Sequence, residues 1–502
     1  MSIRKCHHVI ASLNRLASLR HPITPVKRLS PRISNSPRRF SITTRPSTQL
    51  RHPTSNGREA KVLSPTAAKL HGWLKSRQHE PTHKRDILPP ANSTAQQSRT
   101  GKLQDQALQG VRVLDLTHHV AGPYCTKLLA DFGAEVVKIE RREGDPARSM
   151  PPFAGDEPHH ERSLLFAYLN TGKKSITINL KTAAGRSLLR RLLAHTDILV
   201  ENFAPRVMPS LGIDYDTLAE INPSLVMVSI SNFGQTGPYR DYKAADIIHY
   251  ALGGLMYIFG SAEREPLKHA LRQTQFKAGT NAATAALIGW YHSQLTGEGQ
   301  HIDISIQECV TSALRDTTSL YTYAGSTRQR QPTYTGDMPR SPVPTEDGYI
   351  VPIHFGGAVD WDGVADFIDA PALKDDAFTT PESRFDNAQA LQEALEAGMA
   401  KWRKFDLMRE AHKRRGHIYG VVHSPAEVLA SEQYAARGYF ANIEHPVIGE
   451  ATYPGAPVIM SETPWQANAP APALGEHNHQ ILRDRLGLSL DDLNLLNASG
   501  VV

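Results

Sequence analysis

The fold is decided first by the stretch Val111-Arg-Val-Leu-Asp-Leu-Thr-His-His-Val-Ala-Gly-Pro123. Its first six residues are rich in β-branched and aliphatic side chains, which predicts a strand. The glycine and proline at its end open a predicted helix, because proline is tolerated in a first helical turn. This helix runs to Phe132, and Gly133 closes it in a left-handed conformation. A second strand is predicted over Glu135–Glu140.

The same alternation of strands and helices continues outward from this unit. A helix is predicted around Leu188, Leu189, Leu192 and Leu193, whose spacing of three to four residues marks one helical face. The further predicted strands are Ser175-Ile-Thr-Ile-Asn-Leu180, Asp197-Ile-Leu-Val-Glu-Asn-Phe203 and Leu225-Val-Met-Val-Ser-Ile230. Strands that alternate with helices indicate an α/β fold with a parallel sheet covered on both faces.

The second half of the chain has a different pattern. Helices rich in small residues are predicted over 244–258 and 278–295, and residues near 310–345 are predicted to be extended and polar. A smaller α+β region begins at Asp347 and reaches about residue 425. Short strands over 449–459 and a closing helix over 477–486 complete the chain. The predicted division is a presequence (1–58), a linker (59–106), the N-terminal part of a large domain (107–310), a linker and small domain (311–425), and a C-terminal return to the large domain (426–502).

Charge is distributed unevenly along the chain. Residues 1–58 contain 12 Lys and Arg residues and no acidic residue, whereas the rest carries 44 basic and 50 acidic residues. An N-terminus rich in Arg and Ser and free of acids is typical of a mitochondrial transit peptide. The alternative is a disordered basic tail. The acidic balance of the remainder gives no sign of a nucleic-acid-binding face.

The apolar and cysteine content excludes other classes of protein. No apolar run reaches the roughly 18 residues that a membrane-spanning helix needs. The three cysteines, Cys6, Cys125 and Cys309, are too few and too far apart for a disulfide framework or a metal site. These features predict a protein of a reducing compartment with no bound metal.

The first strand–loop–helix unit restricts the ligand that the sheet can bind. Its loop, Thr117–Pro123, lacks the G-x-G-x-x-G pattern that holds a dinucleotide, and the chain has no P-loop. The second strand ends in Glu140-Arg141-Arg142, where a Rossmann protein contacts the adenosine ribose. Arginine at that position favours a phosphorylated ribose, as in coenzyme A. The alternative is that these arginines form a solvated strand end.

Several longer motifs carry a family resemblance. They are Leu114-Asp-Leu-Thr-His-His-Val-Ala-Gly-Pro123, Leu129-Ala-Asp-Phe-Gly-Ala-Glu-Val-Val-Lys-Ile-Glu-Arg141, Asn170-Thr-Gly-Lys-Lys-Ser-Ile-Thr-Ile-Asn-Leu-Lys181, Val200-Glu-Asn-Phe203, Phe233-Gly-Gln-Thr-Gly-Pro238 and Thr296-Gly-Glu-Gly-Gln300. In this order they are similar to the class III CoA-transferase family, the group of formyl-CoA transferase, carnitine CoA-transferase and α-methylacyl-CoA racemase. The resemblance covers about residues 108–500.

The resemblance implies an architecture and a ligand site. It implies a Rossmann-like large domain built from both ends of the chain, a smaller α+β domain, and two chains interlocked as a dimer. It also implies coenzyme A or acyl-CoA as a substrate, with no permanently bound cofactor and no metal. The implied CoA-binding residues are His119, Val120, Ala121, Arg141, Ile178, Lys181, Asn202, Phe203 and Lys243.

The implied catalytic position departs from the family pattern. The family's nucleophilic aspartate corresponds to Gln275, and an amide has no anionic oxygen with which to attack a thioester. The histidine of the racemase branch corresponds to Ala245, so racemisation is disfavoured. Asp246 matches an acidic position in relatives and is the other candidate catalytic residue, although a purely structural helix-terminal carboxylate is the alternative.

Three functional hypotheses follow. In the first, the protein is an enzyme that moves CoA between an acyl-CoA and a small carboxylic acid by another route. Either Asp246 or the acceptor carboxylate itself attacks the thioester, and Gln275 holds the thioester carbonyl by its amide hydrogens. In the second, it is a non-catalytic acyl-CoA-binding partner of an active paralogue. In the third, it is a lyase or hydrolase on the same scaffold. The first is favoured, in a homodimer or a heteromer in the mitochondrial matrix. Arg340 is a further candidate for contact with an acceptor carboxylate, and the alternative, which the sequence favours, is a free surface arginine.

Overall fold

The large part of the molecule is built on a six-stranded parallel sheet. The computed structural model describes residues 106–502 with Arg340, Gly357 and Asn468 excepted, so the predicted presequence, nearly all of the linker and the Arg340 candidate lie outside the described residues. The strands are β1 (Arg112–Asp115), β2 (Glu135–Glu140), β3 (Lys174–Thr177), β4 (Ile198–Glu201), β5 (Val226–Ser231) and β6 (Gln300–Ser305). Their order in the sheet is β3-β2-β1-β4-β5-β6. The predicted α/β fold class is confirmed.

Sixteen α-helices lie among the described residues. They are α1 (Ala121–Asp131), α2 (Leu164–Leu169), α3 (Ala183–Leu193), α4 (Val207–Ser210), α5 (Tyr215–Ala219), α6 (Asp246–Leu252), α7 (Gln273–Thr296), α8 (Ile306–Thr311), α9 (Arg315–Ala324), α10 (Trp361–Phe367), α11 (Pro381–Asp386), α12 (Ala388–Met399), α13 (Lys404–Ala411), α14 (Pro425–Leu429), α15 (Glu432–Ala436) and α16 (Leu490–Ala498). None of the described helices is long and apolar enough to cross a bilayer.

Both faces of the sheet are covered, because successive side chains of a strand point to opposite faces. On one face, Leu114 of β1 packs with the leucines of α3. On the other face, Val113 packs with α1 and with the small residues of α7, such as Ala282. Gly279 of α7 lets this helix approach α1 closely, since an added Cβ would lie 2.6 Å from the Ala121 carbonyl oxygen. The small-residue pattern therefore places α7 directly against the start of α1.

The C-terminal segment returns to the edge strand of the sheet. His477 accepts a hydrogen bond from the Ser175 amide through Nδ1 (3.2 Å), and the Val501 carbonyl accepts one from Asn179 (2.7 Å). Buried Ile481 and Leu496 join the same apolar core as α3. The helix predicted over 477–486 is a π-helix over His479–Arg485.

A smaller three-stranded antiparallel sheet has its own apolar core. Its strands are β7 (Val343–Thr345), β8 (Gly348–His354) and β9 (His417–Val421), and they pack with α10, α12 and α13. A separate hairpin pairs β10 (Phe440–His445) with β11 (Gly449–Pro454). The predicted α+β character of this half is confirmed by this arrangement.

The secondary structure differs from the predictions at two places. Residues near 310–345 were expected to be extended, yet α9 lies among them and α8 ends at their start. Ser305 caps α8 by accepting the Glu308 amide, and the apolar side chains of α8 are buried, so packing overrides weak local helix propensity. Helix α16 was not predicted, although Ser489 and Asp492 form a capping box at its start.

Candidate active site

The candidate site lies where the strand order of the sheet reverses, between β1 and β4. A ligand in an open parallel sheet binds at such a point, beyond the carboxyl ends of the strands. The loops after the two strands are joined reciprocally. The His118 amide donates to Oδ1 of Asn202 (2.9 Å), and Nδ2 of Asn202 donates to the His118 carbonyl (2.7 Å). These bonds hold the rim of the site together.

His119 is held in an uncommon backbone conformation. Its φ is +67°, in the left-handed region that few non-glycine residues adopt. Its amide donates to Asp145 (3.0 Å), and Asp145 pairs with Lys138 (2.9 Å), which also donates to the Thr117 carbonyl (2.7 Å). Burial alone would raise the pKa of Asp145, but Lys138 and two backbone amides lower it below its usual value. The buried Lys138–Asp145 pair therefore holds the loop between β1 and α1 in place.

A second buried cluster lies under the start of α1. Asp115 accepts hydrogen bonds from the Thr117 (2.5 Å) and Thr126 (2.6 Å) hydroxyls and from Lys173 (3.1 Å). Burial would raise the pKa of Asp115, yet Lys138 and Lys173 lower it far below its usual range. Burial in turn lowers the pKa of Lys173 to about 8. These groups face each other inside the protein and serve to shape the β1–α1 loop.

Two adjoining clefts open at this edge of the sheet. The main cleft, of about 570 Å³, is lined by the loops after β1, β4 and β5 and by the starts of α6 and α7. The outer cleft, of about 350 Å³, is lined by the loops after β1, β2 and β3. His118 and Phe203 line both clefts, so together they could hold one long ligand.

The structure brings all eleven predicted site residues to these clefts. The main cleft is lined by His119, Val120, Ala121, Asn202, Phe203, Lys243, Asp246 and Gln275. The outer cleft is lined by Arg141, Ile178, Lys181 and, again, Phe203. Residues more than 150 positions apart in the sequence thus share one edge of the sheet.

Gln275 lies in the first turn of α7, on the wall of the main cleft. Its backbone amide donates to the Arg272 carbonyl (3.0 Å). Its side-chain amide makes no hydrogen bond with any residue that the structure describes. A primary amide that is free in this way can donate hydrogen bonds to a ligand carbonyl but cannot act as a nucleophile.

Asp246 is occupied by contacts within the protein. Its Oδ1 accepts hydrogen bonds from the Thr274 amide (3.1 Å) and hydroxyl (2.6 Å), and its Oδ2 pairs with Lys268 (3.1 Å). Thr274 belongs to the first turn of α7, so Asp246 satisfies a helix-terminal amide of the helix that carries Gln275. These contacts favour a positioning role over direct attack.

Several residues of the main cleft were not predicted from the sequence, namely His118, Met150, Arg206, Arg240, Asp241 and Arg272. Arg206 and Asp241 form a bidentate pair (2.9 and 2.5 Å), which no local pattern indicates. Burial, together with the neighbouring His119 ring, lowers the pKa of His118 to about 4, so this ring is neutral at pH 7. Arg272 could have been noticed because it stands three residues before Gln275 at a helix start.

Comparison with known proteins identifies relatives over most of the chain. The sequence model of CoA-transferase family III matches residues 108–478. A succinyl-CoA–D-citramalate CoA-transferase of Chloroflexus aurantiacus is 34% identical over 402 residues, which are 79% of this chain and 98% of that protein. The human succinyl-CoA:glutarate CoA-transferase is 31% identical over 404 residues, 79% of this chain and 90% of that protein. A crystal structure of a CaiB/BaiF family protein from Brucella suis has a TM-score of 0.70 at 31% identity, and the match covers 76% of this chain and all of that one.

Proposed function

Because the chain belongs to CoA-transferase family III, we propose that it transfers CoA from an acyl-CoA thioester to a small dicarboxylic acid. The observation that carries this proposal is that two adjoining clefts collect all eleven predicted positions. Relatives named for succinyl-CoA with citramalate or with glutarate support dicarboxylic acids as the substrate class.

The adenosine end of CoA is proposed to lie in the outer cleft. Arg141 lines this cleft, and its side chain is 61% exposed. Its Nε donates to the Gly144 carbonyl (3.0 Å), which orients the guanidinium. Lys181 adds a second cation on the same cleft. Two cations suit the phosphorylated ribose, and the thioester end then extends past Phe203 into the main cleft.

Transfer is proposed to proceed without a nucleophile from the protein. A carboxylate oxygen of the acceptor acid attacks the thioester carbonyl carbon, the C–S bond breaks, and CoA leaves as a thiolate. The thiolate then attacks the acceptor carbonyl of the mixed anhydride and releases the donor acid. Gln275 donates a hydrogen bond to the carbonyl oxygen as negative charge develops on it. Asp246 keeps Gln275 in place through the first turn of α7.

An interlocked homodimer in the mitochondrial matrix is the proposed assembly and location. Helix α7 exposes Ile288, Tyr291 and Leu295 in this single chain, and such apolar side chains suit a subunit contact. The basic, acid-free N-terminus supports mitochondrial import. The division into a large domain from both ends of the chain and a small domain from the middle belongs to the same proposal.

The test is a transfer assay with the purified full-length protein. Succinyl-CoA is incubated with glutarate, and glutaryl-CoA is measured by liquid chromatography. Formation of glutaryl-CoA without ATP is the expected result. Tight CoA binding with no transfer to any of a panel of dicarboxylic acids would favour the alternative, a non-catalytic partner subunit. If the native protein is inactive and Gln275→Asp gains activity, the native protein is a silenced member of the family. Net hydrolysis of succinyl-CoA by the native protein would favour a hydrolase.

A further inference from the structure

The arginines that line the main cleft differ in whether they have partners. Arg206 and Arg240 both approach Asp241 (2.5 and 3.6 Å). Arg272 lines the cleft and is partly buried. Within residues 106–502, as far as the structure describes them, its guanidinium makes no ion pair and no hydrogen bond. The planar donor fork of Arg272 is therefore free to meet an anion from outside the protein.

Arg272 is also adjacent to the group that is proposed to hold the thioester. It is the residue before α7, and Gln275 is the third residue of that helix. The Arg272 carbonyl accepts hydrogen bonds from the Gln275 amide (3.0 Å) and the Phe276 amide (3.3 Å), which closes the first turn. Side chains at the helix cap and at the third helical position are neighbours. The two unpartnered groups thus share one wall of the cleft.

We propose that Arg272 binds the carboxylate of the acceptor acid and sets the preference for anionic acceptors. This inference rests on the proposed function and adds the residue that recognises the second substrate. The guanidinium holds one carboxylate oxygen by a charge-assisted hydrogen bond, and the other oxygen is left to attack the thioester carbon. The bond made is C–O, the bond broken is C–S, and the electron pair leaves on the CoA sulfur.

This arrangement accounts for how transfer could proceed with Gln275 in place of an aspartate. An enzyme without its own nucleophile needs the acceptor held within about 3–3.5 Å of the reacting carbon. A carboxylate held by Arg272 lies beside a carbonyl held by Gln275, so proximity is supplied by two adjacent side chains. Arg272 acts on the acceptor, whereas Arg141 and Lys181 of the outer cleft serve the donor.

The test compares Arg272→Met and Arg272→Lys with the native protein. We expect Arg272→Met to raise KM for glutarate about 10- to 100-fold, because a charge-assisted bond is lost, and to change KM for succinyl-CoA less than about twofold. Arg272→Lys should recover part of the loss. Arg415→Met is the matched control, since Arg415 is exposed on the surface before β9 and lies on neither cleft. An equal rise of KM for both substrates, or a rise for succinyl-CoA alone, would assign Arg272 to CoA and overturn the inference.

A binding measurement separates this inference from the proposed function. Equilibrium dialysis of [¹⁴C]glutarate is performed with the CoA-saturated protein, native and Arg272→Met. If glutarate binds more weakly to Arg272→Met than to the native protein, the carboxylate site is supported, even if the native protein transfers no CoA. Equal binding to both proteins overturns the site even if transfer is observed. Circular dichroism of both proteins confirms that the variant is folded.

Discussion

The two walls of the main cleft are built in opposite ways. The wall that follows β1 stands on buried ion pairs, in which Lys138 meets Asp145 and Lys173 meets Asp115. The wall that begins α7 presents Arg272 and Gln275, whose side-chain polar groups have no partner among the described residues. The charged groups of the first wall are paired within the protein. The polar groups of the second wall are left without partners and can bind a ligand. Under the proposed function, CoA binding would depend on the first wall and recognition of the acyl groups on the second.

This difference predicts different consequences of substitution. Removing one member of a buried ion pair leaves the other member charged in a low-dielectric interior, which is costly for folding. Removing a group that faces an open cleft leaves nothing unsatisfied, so folding is little affected. Variants of the β1 wall should lose stability, and variants of the α7 wall should lose activity while stability is kept.

The largest expected effect is on the β1 wall. Lys138→Met should lower the free energy of unfolding by about 3–5 kcal/mol, because Asp145 would lose its buried partner. Urea denaturation measures this. The control is Lys174→Met on the adjacent strand β3, whose pair with Glu135 is partly exposed and should cost at most about 1 kcal/mol. Equal losses in the two variants would break the contrast between the walls.

On the α7 wall, Gln275→Ala tests the role of the free amide. We expect kcat to fall about 10²- to 10³-fold, as for loss of an oxyanion donor, with the unfolding midpoint unchanged. Steady-state kinetics and urea denaturation are measured on the same preparation. Gln273→Ala, an exposed position in the same helical turn, is the control. If both glutamine variants keep full activity, Gln275 does not contact the reacting carbonyl.

A smaller effect is expected in the outer cleft. Arg141→Met should raise KM for succinyl-CoA about 3- to 10-fold, since one exposed phosphate contact is lost, and the effect should shrink in high salt. Neither kcat nor KM for glutarate should change. Arg142→Met is the matched control, because Arg142 lies on neither cleft and donates instead to Asn497 (3.3 Å). An equal rise of KM for succinyl-CoA in both variants would show that Arg141 does not contact the CoA phosphate.

Glu201 sharpens the comparison because it is buried at the end of β4 and pairs with no cation among the residues that the structure describes. It ends β4, accepts the Phe203 amide (2.7 Å), and burial raises its pKa to about 7. A carboxyl whose pKa is raised by folding binds its proton more tightly in the folded state. Stability is therefore lost as the pH rises from about 4.5 to 7, and the loss is complete above that range.

Glu201→Gln should remove this loss. At pH 8 the variant is expected to be more stable than the native protein by on the order of 1–2 kcal/mol, which raises its melting temperature by a few degrees. At pH 4.5 the two melting temperatures should be nearly equal. Thermal unfolding monitored by circular dichroism at the two pH values measures the difference. A variant that is equally destabilised at both pH values would show that Glu201 is ionised and paired in the native protein.

The sequence was sufficient to predict the sheet and the edge of the sheet at which the candidate site lies. Strand periodicity around Val111–Leu116 and Glu135–Glu140 predicted the first parallel pair, and family motifs located the residues that line both clefts. Helix α8 was missed because it is short and contains β-branched residues, and its buried contacts with α6 and α7 stabilise it. Helix α9 was missed because its aspartate, serine and threonines have low helix propensity, and none of its residues is buried.

The distribution of partners within the site could not be predicted. Asp115 and Lys173 are 58 residues apart, and their contact depends on how β1, α1 and β3 pack. The fold pairs Asp241 with Arg206 and leaves the Arg272 guanidinium without an ion pair among the described residues, and neither outcome is visible in the sequence. Sequence patterns indicate which side chains reach an edge of the sheet. Only the folded arrangement shows which of them are already neutralised.

Direct attack of the acceptor carboxylate on the thioester is tested most directly by following the carboxylate oxygen atoms through one turnover. The protein, in excess over succinyl-CoA, is mixed with glutarate labelled with ¹⁸O in both carboxylates, and the released succinate is analysed by mass spectrometry. Attack by the acceptor carboxylate predicts one ¹⁸O atom in succinate from the first turnover, because the anhydride oxygen comes from glutarate. Unlabelled succinate alongside glutaryl-CoA would contradict this, since its new oxygen would then come from a carboxylate of the protein.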